Sequence, residues 1–288
     1  MNEMIAYRAQ QYWQLMRFDR PIGILLLLWP ALWALWIAGE GHPDWFVTAI
    51  IVAGVVLMRA AGCCINDFAD RRYDPMVERT AKRPLATGRI QPKEAVILFV
   101  ILCLIALALV LQLNLLTIKL SVVGAFLAGT YPYMKRYTYF PQVYLGVAFG
   151  WAVPMSFAAE TGAIPQVSWL IYIATILWAL AYDTMYAMVD RDDDLKIGVK
   201  STAILFGEMD RVLIGIIQLL VLVSLLMVGL QLNMFWPFYL GLVVATGLAV
   251  YEQKLILDRS KEGCFKAFLH NNWFGLVIFL GIVGNYLI

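Results

Sequence analysis

Residues 45–74 read WFVTAIIVAGVVLMRAAGCCINDFADRRYD: the run Trp45–Cys64 holds one charge, Arg59, and Asn66, Asp67, Asp70, Arg71, Arg72 and Asp74 follow at once. A bilayer crossing needs about 20 mostly apolar residues in a helix, so this stretch predicts a membrane-spanning helix whose polar end emerges at one surface. The rest of the chain agrees. Of its 288 residues 62% are hydrophobic and 15% charged, with a mean hydropathy of +0.74. A soluble domain is about half apolar and about a quarter charged. A water-soluble globule, a disordered chain, a coiled coil, a collagen and a disulfide scaffold are therefore excluded.

Working outward from Trp45–Cys64, eight further apolar runs of spanning length are found: Ile22–Gly39, Ala95–Leu113, Leu115–Tyr131, Pro141–Ala158, Ser168–Met185, Val212–Leu230, Phe235–Tyr251 and Asn272–Leu287. They are continuous rather than alternating, which excludes a transmembrane β-barrel. The expected fold is all-α: a polytopic bundle of nine transmembrane helices forming one domain over residues 1–288. Every Lys and Arg except Arg59 and Lys119 falls in the N-terminal segment or in the loops after runs two, four, six and eight. By the positive-inside rule that face is cytoplasmic, with the N-terminus inside and the C-terminus outside. Residues 1–20 are mixed and aromatic, without the pattern of a secretory signal. A net charge of +2 argues against a nucleic-acid partner. Cys63, Cys64, Cys103 and Cys264 have no metal-ligand spacing and read as small packing residues.

The acids are concentrated at two places on the basic face. Continuing the second helix past its apolar run puts Asn66, Asp70 and Asp74 at i, i+4 and i+8, on one face. The sixth run leads into DTMYAMVDRDDD, residues 183–194, where Asp183, Asp190 and Asp194 stand at i, i+7 and i+11. Like charges one turn apart destabilise a helix, and a divalent cation offsets the repulsion. Carboxylate and amide oxygens are hard donors suited to Mg²⁺, which keeps waters and is completed by phosphate oxygens. Two such helices facing each other would hold a diphosphate, with Arg72, Lys82, Arg83, Lys135 and Arg136 available for its remaining charge. The plainer alternative is a set of solvated juxtamembrane charges. Asp67, Asp192 and Asp193 lie off the inferred faces and read either as such solvated charges or as supports behind the residues that hold the metal. Asp183 lies inside the apolar run, where an acid is costly and marks a functional site. Arg59 is also inside its span and could pair with a buried acid or a phosphate oxygen. A faint repeat four spans apart, the second span with its acidic end and basic loop echoed by the sixth, brings both clusters to one face.

At these motifs the chain resembles the UbiA superfamily of intramembrane prenyltransferases, whose marks are NDxxDxxxD and a second DxxxD. Here they are Asn66-Asp67-x-x-Asp70-x-x-x-Asp74 and Asp190-x-x-x-Asp194. The strings at residues 17–21 (RFDRP), 82–85 (KRPL), 131–136 (YPYMKR), 183–194 and 200–207 (KSTAILFG) are similar to the branch that prenylates 4-hydroxybenzoate in bacterial ubiquinone biosynthesis. The likeness runs over essentially the whole chain.

The resemblance implies a multi-pass enzyme of the bacterial inner membrane. It would use Mg²⁺ to transfer a polyprenyl group from polyprenyl diphosphate to the ring of 4-hydroxybenzoate, ortho to the hydroxyl. The substrates and the lipid bilayer are its expected partners, with no nucleic acid and no obligate protein partner. Asn66, Asp70, Asp74, Asp190 and Asp194 would carry the metal, and Arg72, Lys82, Arg83 and Lys135 would touch diphosphate. Arg136 is placed near the carboxylate of the aromatic acid, and Asp183 or Asp190 would polarise the phenol. Tyr73, Tyr131, Tyr133 and Tyr186 are candidates to face a developing allylic cation. A naphthoate, a homogentisate or haem are alternative acceptors within the superfamily. From another class, a cation-coupled transporter would want acids and broken helices near the bilayer midplane.

Overall fold

The computed structural model describes residues 2–288, with side chains from Met4 onward; Met1, where the expected single domain begins, lies outside the described residues. The chain is helical throughout, and no strand occurs among the described residues. The helices are α1 (Asn2–Leu15), α2 (Ile22–Ala38), α3 (Trp45–Asp70), α4 (Pro92–Val110), α5 (Leu115–Thr130), α6 (Pro141–Gly150), α7 (Ala152–Thr161), α8 (Gln166–Ile197), α9 (Thr202–Phe206), α10 (Asp210–Gln231), α11 (Trp236–Leu255) and α12 (Lys261–Tyr286). Seven stretches are long and apolar enough to cross a membrane, taking α5, α6 with α7, and α9 with α10 together with their adjoining turns. The expected first span, α2, is shorter at 17 residues. The molecule is a multi-pass membrane protein.

Local chemistry sets the helix ends that matter. Asp44 starts α3 by accepting the backbone N–H groups of Phe46 and Val47 at 2.8 and 2.9 Å, which satisfies two of the orphan donors of the first turn. Gly198, at φ +74°, ends α8; its left-handed conformation costs glycine nothing. Because α8 runs 32 residues without a break, Asp183, Asp190 and Asp194 do share a face. The first motif departs from expectation. Helix α3 stops at Asp70, and Asp74 begins a separate 3₁₀ turn, Asp74–Met76. Pro75 follows Asp74 directly, and a residue before proline is pushed away from helical backbone.

Helix α8 is the centre of the bundle. It packs on α6 and α10, and α12 lies against both α8 and α2. Three tryptophans bind the middle of α12: Trp29 Nε1 donates to Asn272 Oδ1 at 2.9 Å, Trp33 Nε1 to the Gly275 carbonyl at 3.0 Å, and Trp178 Nε1 to Asn271 Oδ1 at 2.9 Å. Each buried indole N–H is thereby paired, as an apolar surround requires. The free cysteines are buried or half-buried in helices, as expected of packing residues.

Candidate active site

A cavity of about 560 Å³ opens among α2, α3, α6, α8, α12 and the loop between α3 and α4. Asn66, Asp70, Asp74, Asp183, Asp190 and Asp194 all line it. The two acidic motifs thus meet across one cavity, although only the second keeps the helical phase expected of it. Asp74 reaches the wall from its 3₁₀ turn, drawn in by Arg83, whose Nη1 lies 3.1 Å from both of its carboxylate oxygens.

The same arginine decides between the two readings of Asp67, as a solvated charge or as a support for the groups at the site. That residue is 1% exposed rather than solvated. Arg17 Nη2 donates to both Asp67 oxygens, at 2.9 and 2.8 Å, and Arg83 Nη1 donates to Oδ1 at 3.0 Å. A buried carboxylate persists only when paired in this way. Asp67 therefore ties the N-terminal segment, α3 and the following loop into one wall. Burial works against the charge of Arg83, but Asp67 and Asp74 outweigh it and hold the guanidinium firmly protonated. Burial is also the main cause that pushes Asp74 up to about 6. Arg83 opposes the rise, and Asp67 and Asp70 add to it.

The expected phosphate contacts divide. Lys82, Arg83 and Lys135 line the cavity, and Lys135 Nζ lies 2.5 Å from Asp70 Oδ2. Arg72 is exposed and is not part of the wall. Arg136 is not part of it either. Its Nη2 donates to the Ala69 carbonyl at 2.5 Å and stands 4.0 Å from Asp70 Oδ1, and its guanidinium rests over Tyr73 and Tyr133. Tyr73, Tyr131 and Tyr186 line the cavity and Tyr133 does not; Tyr182 joins them unforeseen.

Two further arginines line the cavity, Arg59, which the sequence had singled out, and Arg79, which it had not. Arg79 reaches from the α3–α4 loop across to α8, donating through Nε to both Asp190 oxygens at 3.0 and 3.1 Å and through Nη1 to the Tyr186 hydroxyl at 2.5 Å. Only its place in a basic loop between the motifs could have pointed to it. Arg59 lines the cavity eleven residues before Asp70 on α3, about 16 Å deeper at the helical rise. Its Nη1 contacts Cys63 Sγ at 2.6 Å, and its buried Nε has no partner. Gly23 makes the space, since a Cβ there would come within 2.4 Å of the guanidinium.

The acids fit a divalent cation that is shared with a substrate. Among the described residues no three acid, His or Cys side chains converge to hold a metal alone, because Asp70, Asp74 and Asp190 each turn towards a basic side chain. Asp70 Oδ1 is nonetheless buried without a hydrogen-bond partner. Asp194 has no cation within ion-pair distance among the described residues. An unspent hard oxygen on each motif suits Mg²⁺, which takes one or two carboxylates and completes its shell with waters and phosphate oxygens.

Residues 27–276 match the UbiA prenyltransferase family. The 4-hydroxybenzoate octaprenyltransferase of Methylococcus capsulatus is 64% identical, covering 98% of this chain and 97% of that protein. That of Escherichia fergusonii is 55% identical, covering 99% and 97%. Among solved structures, the apo UbiA homologue from Aeropyrum pernix K1 superposes with a TM-score of 0.80 at 26% identity, covering 90% of this chain and 97% of that one. The UbiA homologue from Archaeoglobus fulgidus bound to DMAPP and Mg²⁺ shares the fold, with a TM-score of 0.72 at 17% identity, covering 93% and 99%.

Proposed function

The chain belongs to the UbiA prenyltransferase family, and we propose that it transfers a polyprenyl group from polyprenyl diphosphate to the ring of 4-hydroxybenzoate, ortho to the hydroxyl, releasing diphosphate in ubiquinone biosynthesis. The observation that carries this reading is near-full-length identity of 55–64% to proteins named 4-hydroxybenzoate octaprenyltransferase. Their names also suggest an octaprenyl donor. The cavity supports the same chemistry, since its wall carries the acids and cations of both motifs together with apolar and aromatic side chains. Nine spans, a single domain, a cytoplasmic mouth and residence in the bacterial inner membrane complete the reading. The one-sided distribution of Lys and Arg supports the span count and the cytoplasmic mouth.

Asn66, Asp70, Asp74, Asp190 and Asp194 would hold Mg²⁺. When bound with substrate, the ion neutralises charge on the diphosphate and so eases departure of the leaving group. Lys82, Arg83 and Lys135, with Arg79, bind the phosphate oxygens and stabilise the negative charge that grows there; Arg72 would join only by turning in from solvent. Leu26, Leu145, Phe149, Phe265 and Phe268 line the remaining wall and keep water from the electron-poor allylic carbon. Tyr131 and Tyr182 line the same cavity, and their rings suit that carbon as it gains positive charge; the Tyr186 ring is already stacked on Phe268 and lies under the Arg79 guanidinium.

The acceptor enters with its carboxylate towards a cation and its phenol towards an acid. Arg59 suits the carboxylate better than Arg136, because it lines the cavity and Arg136 does not. Arg136 is spent on the Ala69 carbonyl and two tyrosine faces and steadies Asp70. Asp183, on the cavity face of α8, polarises the phenol and is placed to take up a proton. The test is prenyl transfer by the purified protein, supplied with polyprenyl diphosphate, 4-hydroxybenzoate and Mg²⁺. A 3-prenyl-4-hydroxybenzoate product is expected. No product in the presence of metal overturns the reading.

A further inference from the structure

Asp210, the first residue of α10, is 0% exposed and lies outside the cavity wall. It holds together three parts of the chain. Arg191 Nη2 donates to its Oδ2 from α8. Arg259 Nε, from the turn between α11 and α12, donates to Oδ1 and Oδ2 at 3.0 and 3.1 Å. The backbone N–H of Arg211 adds a bond of 2.6 Å to Oδ1. Arg259 adopts a left-handed backbone, at φ +56°, and also donates to the Glu208 carbonyl at 2.6 Å. A buried carboxylate with this many charged donors is well compensated.

Arg191 lies next to Asp190 and three residues before Asp194, on the helix that carries the second motif. Residues three apart on a helix are neighbours, and an Arg–Asp pair at that spacing attracts. Asp194 is nevertheless without a cation partner among the described residues, and Arg191 is not part of the cavity wall. The single contact of Arg191 with Asp210 is what turns it away, and its own Nε is buried without a partner. It is held by one bond rather than locked.

We propose that Asp210 is a positioning residue for the second acidic motif: by holding Arg191 away from the cavity, it withholds that guanidinium from Asp194 and leaves the carboxylate open to the metal–diphosphate complex. Arg79 already neutralises Asp190, so an Arg191 released onto Asp194 would leave neither acid of this motif free. The proposal rests on the metal-dependent reading of the site.

The test measures metal binding without turnover. Mn²⁺ is titrated into the purified full-length protein with inorganic diphosphate and followed by electron paramagnetic resonance; thermal unfolding of each variant is recorded in parallel. Asp210→Asn keeps the side-chain shape but loses the charge that holds Arg191. It should weaken Mn²⁺ binding about tenfold, as expected when a carboxylate acquires an adjacent opposite charge. Adding Arg191→Met to Asp210→Asn removes the released guanidinium and should restore binding to within about threefold of wild type, on the same scale. Arg259→Gln loosens the same junction but leaves Arg191 held, so it should bind Mn²⁺ like wild type. Weak binding by Arg259→Gln, or a double variant no better than Asp210→Asn, would mean that the junction acts only as a structural tie and overturns the proposal. Unchanged binding in Asp210→Asn overturns it as well. Failure of wild type itself to bind Mn²⁺ removes the underlying metal-site reading, an outcome distinct from the others.

Discussion

Arg79 and Asp190 meet at the wall of the cavity, with Arg79 Nε 3.0 and 3.1 Å from the two carboxylate oxygens. The arginine belongs to the loop after the first motif and the acid to the second motif on α8, so one ion pair joins the two halves of the site. Its partners are only partly buried, at 23% and 14% side-chain exposure, and the pair can open when a diphosphate offers better acceptors. Replacing Arg79 by Ala should reduce kcat/KM for the prenyl diphosphate by about ten- to a hundredfold, the loss of one charge-assisted bond. The KM for the acceptor should stay within about twofold, since that site makes no use of Arg79. Steady-state kinetics with each substrate varied separately checks both.

The acids themselves should be indispensable. Asp70→Asn keeps the shape of the side chain and a partner for Lys135, yet removes a charge that the metal needs. Turnover should drop by at least about a hundredfold, as when one preorganised electrostatic group is lost from an active site. Insertion into membranes should be normal. Wild-type turnover in this variant would sink the metal-site reading.

Chelation should abolish activity and Mg²⁺ should restore it, with a proton dependence set in part by Asp74. Burial pushes that group up to about 6. Above this pH it is charged and available to a cation; below it a proton occupies the oxygen and competes. The Mg²⁺ concentration giving half-maximal rate should therefore rise as pH falls from about 7 to about 5. Titrations at fixed saturating substrates measure it, and an Asp74→Asn variant should flatten the dependence.

Arg59 and Arg136 make opposite predictions for the acceptor. Arg59→Gln should raise the KM for 4-hydroxybenzoate about ten- to a hundredfold, the value of a charge-assisted bond, and leave the diphosphate KM little changed. Gly23→Ala should act in the same direction, because its Cβ would displace the Arg59 guanidinium. A raised acceptor KM in Arg136→Gln, with none in Arg59→Gln, would return the carboxylate to Arg136.

Gly275 carries the packing of the tryptophans on α12. A Cβ there would sit 2.3 Å from Trp29 Cδ1 and 2.8 Å from Trp178 Cη2, and neither ring can yield without breaking its hydrogen bond to Asn272 or Asn271. Gly275→Ala should cost about 1–3 kcal/mol, the usual penalty for overpacking. Thermal unfolding of the detergent-solubilised protein reads this directly.

The amino-acid sequence by itself determined that the chain crosses a membrane, and it singled out the two acidic motifs that the structure brings to one cavity. These are local properties. An apolar run is helical in lipid because each backbone N–H and C=O must be paired within the segment, and residues on one unbroken helix keep their spacing. The shared face of Asp183, Asp190 and Asp194 therefore follows from their spacing alone. The tertiary structure decided which cation meets which acid. Asp67, Arg79 and Arg136 show why: each is positioned by where the chain turns after a helix ends, and α3 ends at Asp70 rather than continuing through Asp74. Charges attract over several ångströms irrespective of sequence order, so a basic loop offers many pairings. Burial selects among them, since an acid as enclosed as Asp67 or Asp210 persists only where guanidinium groups from other segments reach it.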